Sequence, residues 1–246
     1  MDHMVYVAAF GAGEAMLAQA VNAHNLANAS TAGFRADLLS ARSAYTDGES
    51  ADTRVYAAMR NTGIDFSHGA INATGRNLDV AVNGDGWMAV SLPDGGEAYT
   101  RRGDLRVDEF GQLANGAGMQ ILGESGPIAV PPFSEISVGA DGTVSIVPLG
   151  EDPDSNVVVD RIKLVNPDTA QLGKGEDGII RLAGGEEAPA DAAVRLIPGS
   201  IESSNVDTVA AMVQMIELSR QFESHVKIMH TAEQLDQSSA QLMSIS

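Results

Sequence analysis

Apolar and small residues recur with helical spacing near the N-terminus of the chain. They follow steps of three and four, with an interruption at Gln19. The stripe consists of Val5, Ala9, Ala12, Met16, Ala23 and Leu26. This spacing predicts an α-helix over residues 5–26, which ends at the turn-forming segment 28–33. Because the stripe is rich in alanine, a partner helix can approach closely, but little area is buried and the helix is weak alone.

The C-terminal end shows the same spacing over a longer stretch. Asp207 is placed to cap a helix at its N-terminus. The apolar stripe of this helix consists of Met212, Met215, Phe222, Val226 and Met229, and Ile216 widens it. No proline follows Pro198 and no glycine follows Gly199. The sequence therefore predicts one uninterrupted helix of about 40 residues.

Between residues 63 and 198 the pattern changes to short alternating or β-branched runs, separated by Gly, Asn, Asp and Pro. These runs predict strands at 79–82, 87–92, 119–122, 143–147 and 157–165. Turn signals such as Asn-Gly-Asp-Gly and Asp-Gly lie between them. Residues 36–62 are polar and lack sustained periodicity, so we expect them to be extended or flexible.

Together these patterns predict an α+β fold, in which the N- and C-terminal helices pair as a coiled coil and a β-rich domain is inserted between them. We expect the helical domain at residues 1–35 and 203–246, an extended connecting region at 36–76 and 186–202, and the β-rich domain at 77–185. Two helices that pair only with each other leave apolar flanks such as Ile216 and Leu218 exposed, which favours assembly with neighbouring subunits. The periodicity equally allows an ordinary helix pair packed on the β domain.

Charge and composition narrow the possible partners. The chain of 246 residues has 33 acidic and 15 basic residues and a formal charge of −18, which repels nucleic-acid phosphates and anionic lipid surfaces. Aromatic residues make up 4% and Trp87 is the sole tryptophan, so few rings could stack on bases or sugars. The chain begins with an acid where a secretory signal carries Lys or Arg, and no run approaches the ~18 apolar residues of a membrane span. We expect no nucleic-acid partner and no direct membrane insertion.

The sequence contains no pattern typical of catalysis or metal binding. There is no cysteine, which excludes disulfides, zinc-thiolate sites and thiol nucleophiles. The five histidines lack a ligand spacing. The acidic segment 152–156 lacks the glycine and the closing glutamate of a calcium loop, and segment 123–127 is not a nucleophile elbow. We therefore expect no catalytic residue, no cofactor and no metal, and we expect that the protein is not an enzyme.

Two terminal segments carry a resemblance to a known family. Residues 25–35, NLANASTAGFR, closely resemble the N-terminal signature of bacterial flagellar rod and hook proteins. Residues 201–207 (IESSNVD), 212–216 (MVQMI) and 220–223 (RQFE) are similar to the C-terminal signature of the same family, in the same order. The chain is thereby identified as a member of the flagellar basal-body rod protein family, in its rod and hook branch.

Two central segments extend the resemblance over nearly the whole chain. Residues 78–87 (LDVAVNGDGW) and 99–103 (YTRRG) resemble the central motifs of the rod and hook branch. Met88 departs from the family pattern, in which two aromatic residues commonly follow Gly-Asp-Gly, so local packing there is expected to differ. The opening Met1-Asp2 and the run VYVAA at 5–9 resemble the proximal-rod members more than the distal-rod ones.

The resemblance implies a structural role. Terminal helices would form an inner coiled-coil layer around an export channel, and the β-rich domain an outer layer. The expected partners are further copies of this chain, adjacent proximal rod proteins, the distal rod protein and the flagellar type III export apparatus. The expected location is the periplasmic rod of the basal body, reached by export without a cleaved signal peptide.

The residues expected to mediate assembly lie in the two terminal segments. Asn25, Asn28, Thr31 and Gly33 would shape the turn between layers, and Phe34 would anchor it. The full set is Met16, Asn25, Leu26, Asn28, Thr31, Gly33, Phe34, Ser204, Asn205, Val206, Asp207, Met212, Met215, Ile216, Phe222, Val226 and Met229.

Three alternatives stay open at this point. The first is the distal rod protein of the same family. The second is a secreted oligomeric binding module, for which Trp87 could serve as a ligand contact. The third, a cell-wall hydrolase, has no catalytic constellation in the sequence to support it.

Overall fold

The structure is a computed structural model and describes residues 2–45, 55–93, 95–152, 154–175 and 177–245. The chain divides into two compact units. The helical unit comprises Met1–Asn28, Asp37–Gly63 and Val206–Ser246, and the β unit comprises Ala29–Ala36 and Ile64–Asn205. The described residues combine two long terminal helices with a strand-rich middle, which confirms the predicted α+β class.

Both predicted helices are confirmed. They are α1, Asp2–Ala27, and α2, Thr208–Ile245. Asp207 caps α2, because its Oδ1 accepts hydrogen bonds from the backbone N–H groups of Val209 (2.9 Å) and Ala210 (3.0 Å). These bonds satisfy two of the donors that the first turn of a helix leaves unpaired.

The stretch at residues 36–62 is more regular than the sequence predicts. It contains β1, Asp37–Tyr45, and the greater part of β2, Val55–Ile64, which pair as a two-stranded sheet. A two-stranded ribbon need not keep one face apolar, so its residues give no sustained alternation. The polar centre at 47–50 lies outside the described residues.

The β unit is built mainly from short strands. Its strands are β3 Ile71–Ala73, β4 Val80–Asn83, β5 Trp87–Ser91, β6 Glu97–Thr100, β7 Leu105–Val107, β8 Leu113–Asn115, β9 Gln120–Ile121, β10 Phe133–Val138, β11 Thr143–Pro148, β12 Val157–Arg161, β13 Leu164–Val165, β14 Leu172–Lys174, β15 Ile180–Leu182, β16 Arg195–Pro198 and β17 Ser200–Glu202. The largest sheet has the order β14-β15-β6-β5-β9-β8-β7, with β13 also paired to β5. A second sheet has the order β10-β11-β12, and β16 pairs with β4 and β17 with β3.

Four of the five predicted strands coincide with observed ones, and the fifth is wrong as a single element. The predicted strand at 157–165 is two strands in different sheets, β12 and β13. The chain changes sheets at Ile162, whose N–H donates to the Gly142 carbonyl (2.8 Å). Ile162 and Leu164 are both buried, so the alternation of apolar residues continues across the change of sheet. The sequence pattern therefore shows no break between β12 and β13.

The central strand β5 is covered on both faces. Met88 and Val90 belong to the larger hydrophobic core, whereas Trp87 belongs to a smaller one with Tyr99 and Val165. This division follows from the period-two alternation of side chains along a strand. Trp87 is 3% exposed, which argues against its use as an exposed ligand contact.

The two helices of the helical unit run antiparallel. Asn22, late in α1, donates from Nδ2 to the carbonyl of Ala211 at the start of α2 (2.7 Å). Gly11, earlier in α1, lies against the imidazole of His225, further along α2. A buried side-chain hydrogen bond of this kind fixes the register of a helix pair. Their coiled-coil packing stays a prediction.

The buried face of α1 differs from the predicted stripe. The buried apolar residues are Ala8, Ala12, Ala15 and Ala18. Of the predicted stripe only Ala12 is among them, while Val5 and Met16 are exposed. Leu218 of α2, expected on an exposed flank, is 8% exposed. Small side chains bring the two backbones close together, so alanine rather than the larger residues occupies the contact.

Gly11 permits this close approach, which yields a testable prediction. A Cβ on Gly11 would lie 2.8 Å from both ring nitrogens of His225, closer than van der Waals contact. We expect Gly11→Ala to lower the free energy of unfolding of the helical unit by about 1–3 kcal/mol, because the helices must separate or the ring must move. The measurement is thermal unfolding followed by circular dichroism at 222 nm.

Gly13 provides the matched control, since a Cβ there would meet no atom within 4 Å. Gly13→Ala should stabilise the helix by about 0.5–1 kcal/mol through helix propensity alone. The cost of Gly11→Ala should shrink in a His225→Ala background. Equal effects of the two alanine substitutions would contradict the close contact.

Candidate assembly interface and a buried ion cluster

Large apolar side chains cover the outside of the helical unit. Tyr6 is 71% exposed, Met16 58% and Ile216 57%. We call the following set the outer apolar face: Met4, Val5, Tyr6, Val7, Phe10, Met16 and Leu17 of α1, and Val209, Met212, Val213, Ile216 and Leu235 of α2. Large apolar side chains that are exposed in such number on two paired helices indicate a binding partner.

Helix α1 therefore carries its small residues inward and its large apolar residues outward. Residues Met4–Ala27 are long and apolar enough to cross a membrane, by length and composition only. The sequence does not show one continuous apolar run here, because Glu14 and small residues interrupt it. A helix that is apolar on all sides is normally buried, within either protein or lipid. Among the described residues, α2 covers the alanine side of α1.

Several predicted site residues lie at the end of α1. Asn25 and Asp37, at the start of β1, form a reciprocal pair: Asn25 Nδ2 donates to the Asp37 carbonyl (3.0 Å), and Asp37 N–H donates to Asn25 Oδ1 (2.9 Å). Asn28 Nδ2 donates to the His24 carbonyl (3.0 Å), which also accepts from the Asn28 backbone N–H (3.2 Å) in the last turn of the helix. These two asparagines terminate α1 and fix the first residue of β1.

The remaining predicted residues of the helical unit are either exposed or half-buried. Met16, Met212 and Ile216 belong to the outer apolar face, and Asp207 is the helix cap. The half-buried ones are Leu26, Val206, Met215, Phe222, Val226 and Met229. The structure thus places three of the predicted assembly residues where a partner could reach them.

In the β unit, three charged residues form a buried ion cluster. Glu202 Oε1 accepts from Arg35 Nη2 (2.6 Å), and Glu202 Oε2 accepts from Arg101 Nε (2.6 Å). All three side chains are at most 3% exposed. The two guanidinium carbons lie 5.9 and 5.7 Å from the centroid of the Trp87 ring. Arg101 also donates to the carbonyls of Gly86 (3.1 Å), Val82 (3.2 Å) and Gly84 (2.7 Å).

The electrostatics of the cluster favour its ionised form. Burial by itself would raise the pKa of Glu202, but the hydrogen bonds and positive charges of Arg35 and Arg101 outweigh it and hold that pKa below its usual range. Burial lowers the pKa of Arg101, and the charge of Glu202 opposes that effect. Removing one member of such a buried pair leaves an uncompensated charge, which is strongly destabilising.

Asn205 and Gly33, two predicted site residues, hold the segments around this cluster. Asn205 Oδ1 accepts from the Ala36 N–H (2.8 Å), and its Nδ2 donates to the Asp65 carbonyl (2.9 Å). Gly33 has φ of +66°, and a Cβ there would lie 2.5 Å from the Arg101 carbonyl oxygen, so only glycine fits. Gly33 N–H donates to the Glu202 carbonyl (2.8 Å).

The other predicted residues near the cluster are half-buried: Thr31, Phe34 and Ser204. The Lys174 ammonium lies 4.8 Å from the centroid of the Phe34 ring. Arg35, Arg101 and Glu202 lie in segments that resemble the family, but the sequence pattern gives these residues no role. The available signal was the presence of opposite charges in three of those segments, at positions 66 and 101 residues apart.

The three segments that meet at the cluster are those that carry the family resemblance, and comparison with known proteins agrees with it. Residues 81–146 match the model of the "Flagellar hook protein FlgE/F/G D1 domain", and residues 197–242 match that of the "Flagellar basal body rod FlgEFG protein C-terminal". The chain is 41% identical to the flagellar basal-body rod protein FlgF of Escherichia coli K12 over 252 residues, which covers 100% of both chains. The chain belongs to the flagellar basal-body rod protein family.

Further rod proteins are similar along most of their length. FlgF of Salmonella typhimurium is 40% identical, with 100% of both chains covered. FlgG of Buchnera aphidicola from Schizaphis graminum is 33% identical over 90% of this chain and 92% of its own. The chain is accordingly a structural subunit of the flagellar basal-body rod, from a family that is structural rather than enzymatic and that assembles with other rod and hook subunits.

Proposed function

We propose that this rod subunit polymerises through its two terminal helices, which pack with those of neighbouring subunits into a coiled-coil inner layer around the export channel. The observation that carries the proposal is the outer apolar face, whose residues include Tyr6 at 71% and Val209 at 70% exposure. Burial of a side chain of this size contributes roughly 1.5–3 kcal/mol, so covering the face supplies most of the driving force for assembly.

The neighbours that we propose are further copies of this chain, adjacent proximal rod proteins and the distal rod protein. Similarity to FlgF proteins over their whole length supports the proximal position. In the same proposal the β unit faces outward, and the chain reaches the periplasmic rod through the type III export apparatus without a cleaved signal peptide. Thr31, Phe34, Ser204 and Val206 belong to the segments that join the layers.

The weakness of the isolated helix pair supports this mechanism. The buried contact of α1 is made of alanine residues, each of which buries little apolar area. The pair therefore gains much of its total burial only when neighbouring helices cover the outer apolar face. Coupling of this kind makes the stability of the helices depend on assembly.

Single-cysteine cross-linking tests the proposal, because the chain has no cysteine of its own. Val213→Cys, at a position 52% exposed on α2, should cross-link to the same cysteine of a neighbouring copy in isolated basal bodies when treated with a bismaleimide, which joins two thiols. The same variant as a dilute purified monomer should give no cross-linked product.

Two matched variants complete the design. Ala15→Cys, at a position 3% exposed, should stay unreactive in both preparations. Glu124→Cys reports on the exposed surface of the β unit and should not join the helices of neighbouring subunits. A Val213→Cys variant that remains monomeric in assembled rods would overturn assembly through the terminal helices.

A further inference from the structure

A cavity of about 160 Å³ lies in the β unit against the buried ion cluster. Its wall includes Arg35, Arg101 and Trp87, and also Phe34 and Lys174. No acidic side chain lines it among the residues that the structure describes. Since one water occupies about 30 Å³ of liquid, the space is sufficient for a small organic ion with a few waters.

The cluster beside this cavity lacks one negative charge. It holds two guanidinium groups, those of Arg35 and Arg101, against the single buried carboxylate of Glu202. The carboxylate of Asp85 also acts on Arg101, but its side chain is 82% exposed, so solvent screens its charge. The nearby guanidinium of Arg102 does not change this balance, because Asp104 pairs with it (2.8 Å). A buried surplus charge is costly unless an opposite charge lies close to it.

Arg35 also has unused hydrogen-bonding capacity. Its Nη2 donates to Glu202, but its Nε and Nη1 are buried and have no hydrogen-bond partner among the residues that the structure describes. The face of the Trp87 ring offers some attraction to the cation but no neutralising charge. Buried donors without acceptors are uncommon in native proteins, and each calls for an explanation such as a bound ion.

We propose that the cavity is a binding site for a single carboxylate, which accepts hydrogen bonds from Arg35 and is attracted by the positive charge of Arg101. A monoanion matches the single surplus positive charge, and carboxylate oxygens form strong charge-assisted hydrogen bonds with guanidinium groups. This site shares no residue with the outer apolar face. A failed test of carboxylate binding would therefore leave the proposed assembly through the helices unaffected. The carboxylate is either a free small acid or an acidic side chain of a second copy of this chain.

The emission of Trp87 tests the site directly, because Trp87 is the only tryptophan and lines the cavity. Purified protein is titrated with sodium acetate, and sodium chloride at equal ionic strength serves as the reference. We expect a saturable change in Trp87 emission with acetate, half-complete on the order of 1–10 mM, and no saturable change with chloride. Acetate should also raise the thermal unfolding midpoint, because a ligand of the native state stabilises it.

Arg35→Lys keeps a positive charge for Glu202 but removes the planar guanidinium, and it should weaken the acetate response about tenfold or more. Arg161→Lys, at a half-buried arginine that donates to the Asp141 carbonyl (2.8 Å) and does not line the cavity, should leave it unchanged. If Arg35→Lys does not fold, the wild-type titration decides alone. An equal response to chloride, or no response to acetate, would overturn the site.

Protein concentration distinguishes the two sources of the carboxylate. If a second copy supplies it, Trp87 emission should change as the protein is concentrated without acetate, and added acetate should prevent that change. If a free acid is the occupant, only acetate should have an effect. Both outcomes support a carboxylate site.

Discussion

Glu202→Gln lowers the free energy of unfolding of the β unit by about 3–5 kcal/mol, the expected cost of removing one partner from a buried ion cluster. Glutamine has nearly the same shape, so packing is preserved and the loss is electrostatic. One oxygen remains to accept hydrogen bonds, and an amide N–H₂ replaces the oxygen that accepts from Arg35 or Arg101 (both 2.6 Å). Urea unfolding followed by Trp87 emission measures the effect.

Asp177→Asn provides the control for this substitution. Asp177 pairs with Arg181 in the same unit, but the two side chains are 41% and 33% exposed. Solvent-exposed pairs contribute about 0–1 kcal/mol, so Asp177→Asn should change the free energy of unfolding by less than about 1 kcal/mol. A Glu202→Gln effect no larger than that of Asp177→Asn would show that the cluster does not stabilise the fold.

The same cluster predicts the acid sensitivity of the β unit. The pKa of Glu202 in the folded state lies below its ordinary value of 4.5, so the folded state binds this proton less readily than the unfolded state. The stability that Glu202 contributes is therefore fully present above pH 4.5 and is lost as the pH falls through the folded-state pKa. Glu202→Gln should flatten the pH dependence of the unfolding midpoint in that range.

Ile216→Asp should abolish swimming and remove this subunit from isolated basal bodies, although the monomer keeps its fold. Ile216 is 57% exposed in the helical unit, so the substitution removes no internal contact of comparable size. In the assembled rod the aspartate would have to be buried against neighbouring apolar surface, where an unpaired charge is costly. Swimming in soft agar and immunoblots of purified basal bodies measure the effect, and the exported fraction shows whether the chain is secreted.

Two substitutions in the same helix separate assembly from folding. Gln214→Asp adds the same side chain at an exposed polar position and should leave swimming unchanged. Leu218→Asp places the charge at a position 8% exposed and should unfold the helix pair itself, which a lower thermal midpoint of the monomer would reveal. Normal swimming with Ile216→Asp would exclude the outer apolar face from the rod interface.

The helices could be predicted from the sequence because local properties decide their existence. A long stretch of α2 without glycine or proline, begun by Asp207, needs no tertiary information. The face that α1 buries could not be predicted in the same way. Both sides of α1 are apolar, and periodicity favours the larger residues such as Met16, whereas close backbone packing selects Ala8 and Ala15.

Short strands and sheet changes were the least predictable part of the β unit. A strand of three residues such as β7 or β8 contains too few positions to show alternation. The exchange of sheets at Ile162 is likewise invisible, because a residue buried in either sheet is apolar. Pairing partners decide these elements, and those partners are distant in sequence.

By itself the sequence determined the two terminal helices, the strand-rich middle, the absence of cysteine and the motifs that mark the family, since each depends on residues that are neighbours along the chain. Only the tertiary structure decided which side of α1 is buried and that Arg35, Arg101 and Glu202 meet around Trp87. The reason is that burial and charge compensation depend on distances in space, and Arg35 and Glu202 are 167 residues apart in the chain.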